Sequence, residues 1–208
     1  MKDLKYLAAF SIPLMAYLGI CFKGSFSFLT PVYAFVFLPI LELLFSTDNS
    51  NLNLKESENK LKNKLFDWLL YLNLPLVVVL VIYSLVEVTT NQLEIFEIVG
   101  LIVSLGIVLA VNGINVAHEL GHRQASNERF LGKALLLTSL YMHFYIEHNF
   151  GHHLHAATPE DPATARYNQS VYSFWFTSTL RQYFKSWSIQ KNLLKNNNKS
   201  FFSVKNDM

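Results

Sequence analysis

A single cysteine, Cys21, is the first constraint in this 208-residue chain. It excludes an intrachain disulfide, a thiolate metal cage and a cysteine-held iron–sulfur cluster. Charge is scarce too. Asp, Glu, Lys and Arg make up 15% of the residues, the net charge is +2, and the basic side chains sit in loops beside apolar runs, so there is no patch for nucleic acid. No internal repeat is visible. Histidine is missing from the entire first half, since none of the seven precedes residue 118.

What the chain has in excess is apolar surface. With 51% hydrophobic residues and a mean hydropathy of +0.25, it is too apolar for an ordinary soluble domain of this size. Four uncharged runs, 6–22, 25–41, 68–86 and 98–117, approach or reach the ~20 residues that cross a bilayer. Lys2 and Lys5 precede the first run as they would in a signal peptide, but it lacks a small-x-small cleavage site and more spans follow, so it reads as an anchor. The expected fold is all-α: a polytopic membrane protein with four transmembrane helices (1–117), then a histidine-bearing helical region (118–208) on the cytoplasmic side. Orientation follows from the loops. Lys55, Lys60, Lys62 and Lys64 crowd the second loop, whereas the third carries Glu87 and Glu94 and no Lys or Arg, which predicts cytoplasmic termini and cytoplasmic histidines.

The histidines fall in HELGH (His118, His122), at His143, and in EHNFGHHLH (His148, His152, His153, His155). Imidazole is the commonest metal-ligating side chain, because the neutral ring offers a nitrogen lone pair near neutral pH. On a helix, residues four apart share a face, so His118 with His122, and His148 with His152, can each grip one ion. His153 is turned ~100° from His152 and can address a second ion. A catalytic zinc takes about three protein ligands plus water, so five imidazoles ask for two metals or leave a surplus. His143 and His155 fit the tight pattern less well and are expected beside the ligands or in solvent.

Asn112, Asn115, His118 and His122 share a sector of about 120° on one helix. This polar stripe either lines a cavity leading to the histidines or glues helices together. Residues 131–146 form an interfacial or buried helix delivering His143 and His148, and the prolines of TPEDP (158–162) end regular helix. The aromatic stretch around Tyr172, Phe174, Trp175 and Phe176 suits a membrane interface. The basic tail 191–200 is low in complexity, and FFSV (201–204) begins an apolar run just before the chain stops.

Read alone, HELGH is also the H-E-x-x-H of zinc proteases, with Glu119 activating water. Such enzymes need a third ligand in a later helix, for which no segment is evident, and have no use for EHNFGHH.

NVAHELGHR (115–123), LYMHFYIEHNFGHH (140–153) and ATPEDPATAR (157–166) together resemble the membrane-bound alkane 1-monooxygenases, within the integral-membrane fatty acid desaturase and hydroxylase superfamily. Xylene monooxygenases share much of the pattern. The resemblance implies a non-haem di-iron centre with His118, His122, His148, His152 and His153 as iron ligands. It also implies O2 and an n-alkane as substrates in a bacterial inner membrane, and electrons from rubredoxin and its reductase. Glu119, Glu147 and Asp161 stand beside those ligands and can orient imidazoles by accepting their other N–H. Arg123 and Arg166 can attract an acidic electron carrier. The family's later helices and histidine motifs have no counterpart here. The expectation is therefore that these 208 residues are a fragment, unable to complete a di-iron site alone. The alternative is a short metal-binding or interaction subunit without enzyme activity.

Overall fold

Residues 2–45, 51 and 53–208 are described by a computed structural model, and every regular element among them is helical. Four helices, Asp3–Phe22, Gly24–Leu44, Leu65–Thr90 and Ile95–Gly121, are long and apolar enough to cross a membrane. Each outruns its apolar stretch by a few residues. The Thr89 and Thr90 hydroxyls donate back to the Leu85 and Val86 carbonyls at 2.7 Å. Glu94 and Glu97 form a reciprocal capping box at the start of the fourth span.

The chain divides into two compact units, Met1–Val116 and Ala117–Met208. In the first, contacts at opposite ends fix an antiparallel arrangement. Lys60 reaches Asp3 (3.6 Å) and the Tyr6 hydroxyl (3.4 Å) at one end. At the other, Lys23 pairs with Glu87 at 2.8 Å and the Gly24 N–H donates to Glu97 at 2.6 Å. Between apolar helices there is little hydrophobic gain in lipid, so close approach and polar bonds hold the bundle. Ser104 donates to the Ser27 carbonyl at 2.7 Å, and a Cβ at Gly100 would overlap the Ser27 side chain.

Asn112 belongs to the same glue. It is buried, and its amide donates to Asn73 Oδ1 at 2.8 Å and to the Ala9 carbonyl at 3.2 Å. Of the two roles the polar stripe leaves open, Asn112 takes the second, gluing helices together. The reason is local. Leu109–Ile114 is a π turn, whose i→i+5 bonds break the 100° stepping on which the stripe was calculated.

In the second unit, Ser126–Thr138 lies against the end of the fourth span. Gly132 permits this, since a Cβ there would sit 3.0 Å from the Ala117 carbonyl and 3.1 Å from Leu120. The helix expected over 131–146 is in fact broken. Leu140 adopts φ +54°, and the Tyr141 N–H returns to the Leu136 carbonyl while the Leu140 N–H returns to Leu137, a Schellman end with leucine where glycine is usual. A second helical stretch then begins at His143, passes through a π turn at His148–His152 and ends at His153–His155. After the TPEDP turn, Val171–Asn196 forms the longest α-helix described, capped by the Ser170 hydroxyl. The residues after it fold back: Phe201 stacks on Trp187 and the Lys205 carbonyl accepts from Gln190, both on this helix, while Asp207 pairs with Lys133 of Ser126–Thr138.

Candidate metal centre

His118 and His122 sit one helical turn apart at the end of the fourth span, their Nε2 atoms 3.2 Å from each other. His148 Nε2 lies 3.1 Å from His122 Nε2 and 3.1 Å from His153 Nε2. Four imidazole nitrogens from two chain segments thus form a row of close contacts. A nitrogen on such a ring carries either one proton or one lone pair. His148 Nε2 cannot donate one proton to two neighbours with good geometry, nor accept from either while it donates. Alternating tautomers can pair neighbouring nitrogens along this row, and a cation would instead take the lone pairs of several of them at once. Nitrogens 3.1–3.2 Å apart are about as far apart as neighbouring ligands on one ion at a metal–nitrogen distance of ~2.1 Å. Among the described residues, His118, His122 and His148 form the group whose ligand atoms all fall within 4.8 Å of one another.

One pairing differs from the expected pattern. His148 meets His153, five residues on, and not His152, four residues on. The π turn is the cause, because its wider winding brings i+5 beneath i. Gly151 makes that turn possible, since a Cβ there would lie 2.7 Å from Glu147 Oε1 and 3.0 Å from Ile189.

His152 stacks on His148 at 5.4 Å and gives its Nδ1–H to Asp161 Oδ2 at 2.9 Å. Asp161 is buried and is held by the Thr164 hydroxyl (2.5 Å) and the Ala163 N–H (2.9 Å). Burial would raise its carboxyl, but these donors together with His152 outweigh that effect and hold it below the usual range. An ionised Asp161 fixes the His152 tautomer and leaves Nε2 with its lone pair free. At His148, burial and the surrounding imidazoles push the pKa down to about 3, so the ring is neutral and ready to ligate at any ordinary pH.

The remaining candidates lie apart from this cluster. Glu119 pairs with Arg123 at 3.2 Å. Glu147 is buried beside Lys185 (3.8 Å), and desolvation raises its carboxyl above the usual range. His143 packs against Tyr141 and Tyr183, buried enough to lower its pKa. His155 Nδ1 donates to the Gly151 carbonyl at 2.9 Å. Of the three acidic candidates, Asp161 is the one hydrogen-bonded to an imidazole among the described residues. Two contributors escaped the sequence reading, Lys185 and Thr164. Thr164 carried a local signal, three residues beyond an aspartate in a turn, and Lys185 carried none.

Four helices able to cross a membrane, the last of them carrying part of an imidazole cluster that could hold a metal ion, define an integral membrane protein. The fatty acid desaturase family model matches residues 96–205, more than half of the chain, and the chain belongs to that family. It is 36% identical to alkane 1-monooxygenase of Pseudomonas putida over 173 residues, 82% of this chain and 42% of the relative. It is 30% identical to alkane 1-monooxygenase 2 of Alcanivorax borkumensis over 216 residues, 100% of this chain and 56% of the relative. The xylene/toluene monooxygenase hydroxylase component of Pseudomonas putida matches at 29% over 139 residues, 65% of this chain and 38% of the relative. The chain spans about two fifths of the length of the first three alkane monooxygenases it matches.

Proposed function

We propose that this chain supplies the membrane spans and the first histidine boxes of a non-haem di-iron monooxygenase that hydroxylates the terminal carbon of n-alkanes. The reaction consumes one O2, two electrons and two protons, and yields the 1-alkanol and water. Rubredoxin, reduced by its reductase, delivers the electrons one at a time. The protein sits in the bacterial inner membrane with its termini and histidines in the cytoplasm, as the lysines of the second loop favour.

The observation that carries this reading is the row of three Nε2–Nε2 contacts of 3.1–3.2 Å that links four imidazoles, an all-nitrogen donor set suited to iron and holding no thiolate. His118, His122, His148 and His153 would bind metal through Nε2, and His152 would do so with Asp161 holding its ring in the required tautomer. Iron bound there supplies dioxygen activation. A hydrocarbon has no hydrogen-bonding handle, so apolar side chains along the spans select it by length and shape.

Two measurements test the reading. Detergent-purified protein is loaded anaerobically with Fe(II), desalted and assayed for iron and zinc. Membranes containing the protein, rubredoxin, its reductase and NADH are then offered n-alkanes beside toluene and xylene. From these 208 residues alone, substoichiometric iron and no 1-alkanol are expected; with the family's later histidine motifs supplied, both bound iron and product are expected. Stoichiometric zinc with no retained iron sinks the iron assignment and revives the protease reading. Preferential oxidation of the methyl groups would move the substrate to methyl-aromatics, a reading favoured by the xylene/toluene monooxygenase relative.

A further inference from the structure

The helix Val171–Asn196 is inside out for a helix in water. Its buried residues are Ser178, Ser186, Gln190 and Leu194, three of them polar. Its open side carries Tyr172, Trp175, Phe176, Leu180, Tyr183 and Phe184, spaced three or four residues apart so that they form one strip. These are not grazing exposures: Tyr172 is 75% exposed, Trp175 61%, Phe176 68% and Phe184 67%. A helix on a soluble surface places its apolar stripe inward and its polar residues outward. Here the order is reversed over the first four turns.

Charge narrows the choice of what covers the strip. The 26 residues include Arg181, Lys185, Lys191 and Lys195 and no acidic residue. Lys185 is engaged with Glu147 and the Glu160 carbonyl, but Lys191 and Lys195 are exposed and continue the strip toward the C-terminal end. Aromatic rings for four turns followed by lysines complement a lipid interface, where Trp and Tyr sit at the headgroup level and basic side chains meet anionic lipid. Chain connectivity keeps a bilayer at hand, because this unit begins at the end of a membrane-crossing helix.

We propose that Val171–Asn196 lies flat in the membrane interface, its aromatic strip inserted at the headgroup boundary and Lys191 and Lys195 against anionic headgroups. The proposal is independent of the metal and of the substrate. It predicts that removing iron leaves the helix where it is.

The test places the protein in vesicles of phosphatidylcholine and phosphatidylglycerol, with Trp68→Phe and Trp187→Phe leaving Trp175 as the sole tryptophan. Circular dichroism checks that the helices are kept. Trp175 emission should fall by about half when shallow brominated lipid replaces part of the phosphatidylcholine, and should resist iodide in the water phase. A second probe needs no tryptophan change. A spin label at Thr179→Cys, in a Cys21→Ser background, should collide with dissolved oxygen more than with a water-soluble nickel chelate. Strong quenching by iodide with none by bromolipid places the strip in water and overturns the proposal. Protection from both quenchers means that protein covers the strip, and overturns it equally.

Discussion

His148 and His153 bring their Nε2 atoms within 3.1 Å of each other from positions five residues apart. The same His148 nitrogen lies 3.1 Å from His122, so this residue joins the two chain segments that carry the cluster. His148→Ala should therefore lose metal binding more completely than any other single histidine change. His155→Ala should retain it, since the His155 ring is turned to the Gly151 carbonyl. Anaerobic Fe(II) titration against a competing chelator measures both. Equal losses in the two variants would mean that the π turn does not set the ligand geometry.

Asp161 meets the imidazole cluster through its hydrogen bond to His152, so any effect it has on a bound metal would pass through that ring, and that predicts a graded effect. In Asp161→Asn the Oδ2 acceptor loses its charge, and the partner of the His152 Nδ1–H becomes a neutral amide. A weakening of roughly 10- to 100-fold in metal affinity is expected, with the helical content unchanged. Thr164→Val should do less, because it removes one of several donors to Asp161 while the His152 bond survives. An Asp161→Asn protein that binds metal as tightly as the parent would remove Asp161 from the site.

His143 supplies a pH signature. Burial holds its ring neutral, with a pKa below the usual 6.5, and its buried Nε2 has no hydrogen-bond partner among the described residues. As pH falls through about 6.5 the unfolded chain takes up a proton that the folded chain resists, so stability is present above that pH and is lost below it. His143→Phe keeps the packing against Tyr141 and Tyr183 but cannot titrate. Between pH 7 and 5 the slope of unfolding free energy should flatten by at most about 1.4 kcal/mol per pH unit. Parallel pH profiles for the two proteins would show that His143 titrates normally.

Much of this architecture is legible in the sequence, and the parts that are not share one cause. Hydropathy locates the four spans because lipid forces backbone groups to pair within the segment, so apolar length maps directly onto helix length. Spacing likewise brings His118 and His122 together, since the helix winds regularly from Asn115 to Gly121 and only tightens at His122, whose N–H bonds back to the Glu119 carbonyl. At His148–His152 and at Leu109–Ile114 the winding changes, and directions counted at 100° per residue shift there. His153 takes the place expected of His152, and Asn112 turns to Asn73. The break at Leu140 is hidden for a related reason, because a leucine in the left-handed region carries none of the glycine signal by which a helix end is read.

Glu147 and Lys185 set the last test, and it turns on which partner is removed. Glu147 is 1% exposed, its carboxyl 3.8 Å from the Lys185 ammonium, while Lys185 also donates to the Glu160 carbonyl at 2.8 Å. Desolvation already raises the Glu147 carboxyl, so a neutral side chain of the same shape sits there at little cost. Glu147→Gln should accordingly change stability by less than about 1 kcal/mol, replacing a buried ion pair with a neutral group. Lys185→Met is the harsher change, since it strands a buried carboxylate without its counter-charge. Breaking a fully buried pair costs about 3 to 5 kcal/mol, and because Lys185 is partly open the expected loss is nearer 2 kcal/mol. Denaturant titration in detergent micelles measures both. In the double variant Lys185→Met with Glu147→Gln most of the loss should return, because the stranded charge is gone. If the double variant is as unstable as Lys185→Met alone, Lys185 acts through Glu160 and the loop before the long helix, and Glu147 is a bystander.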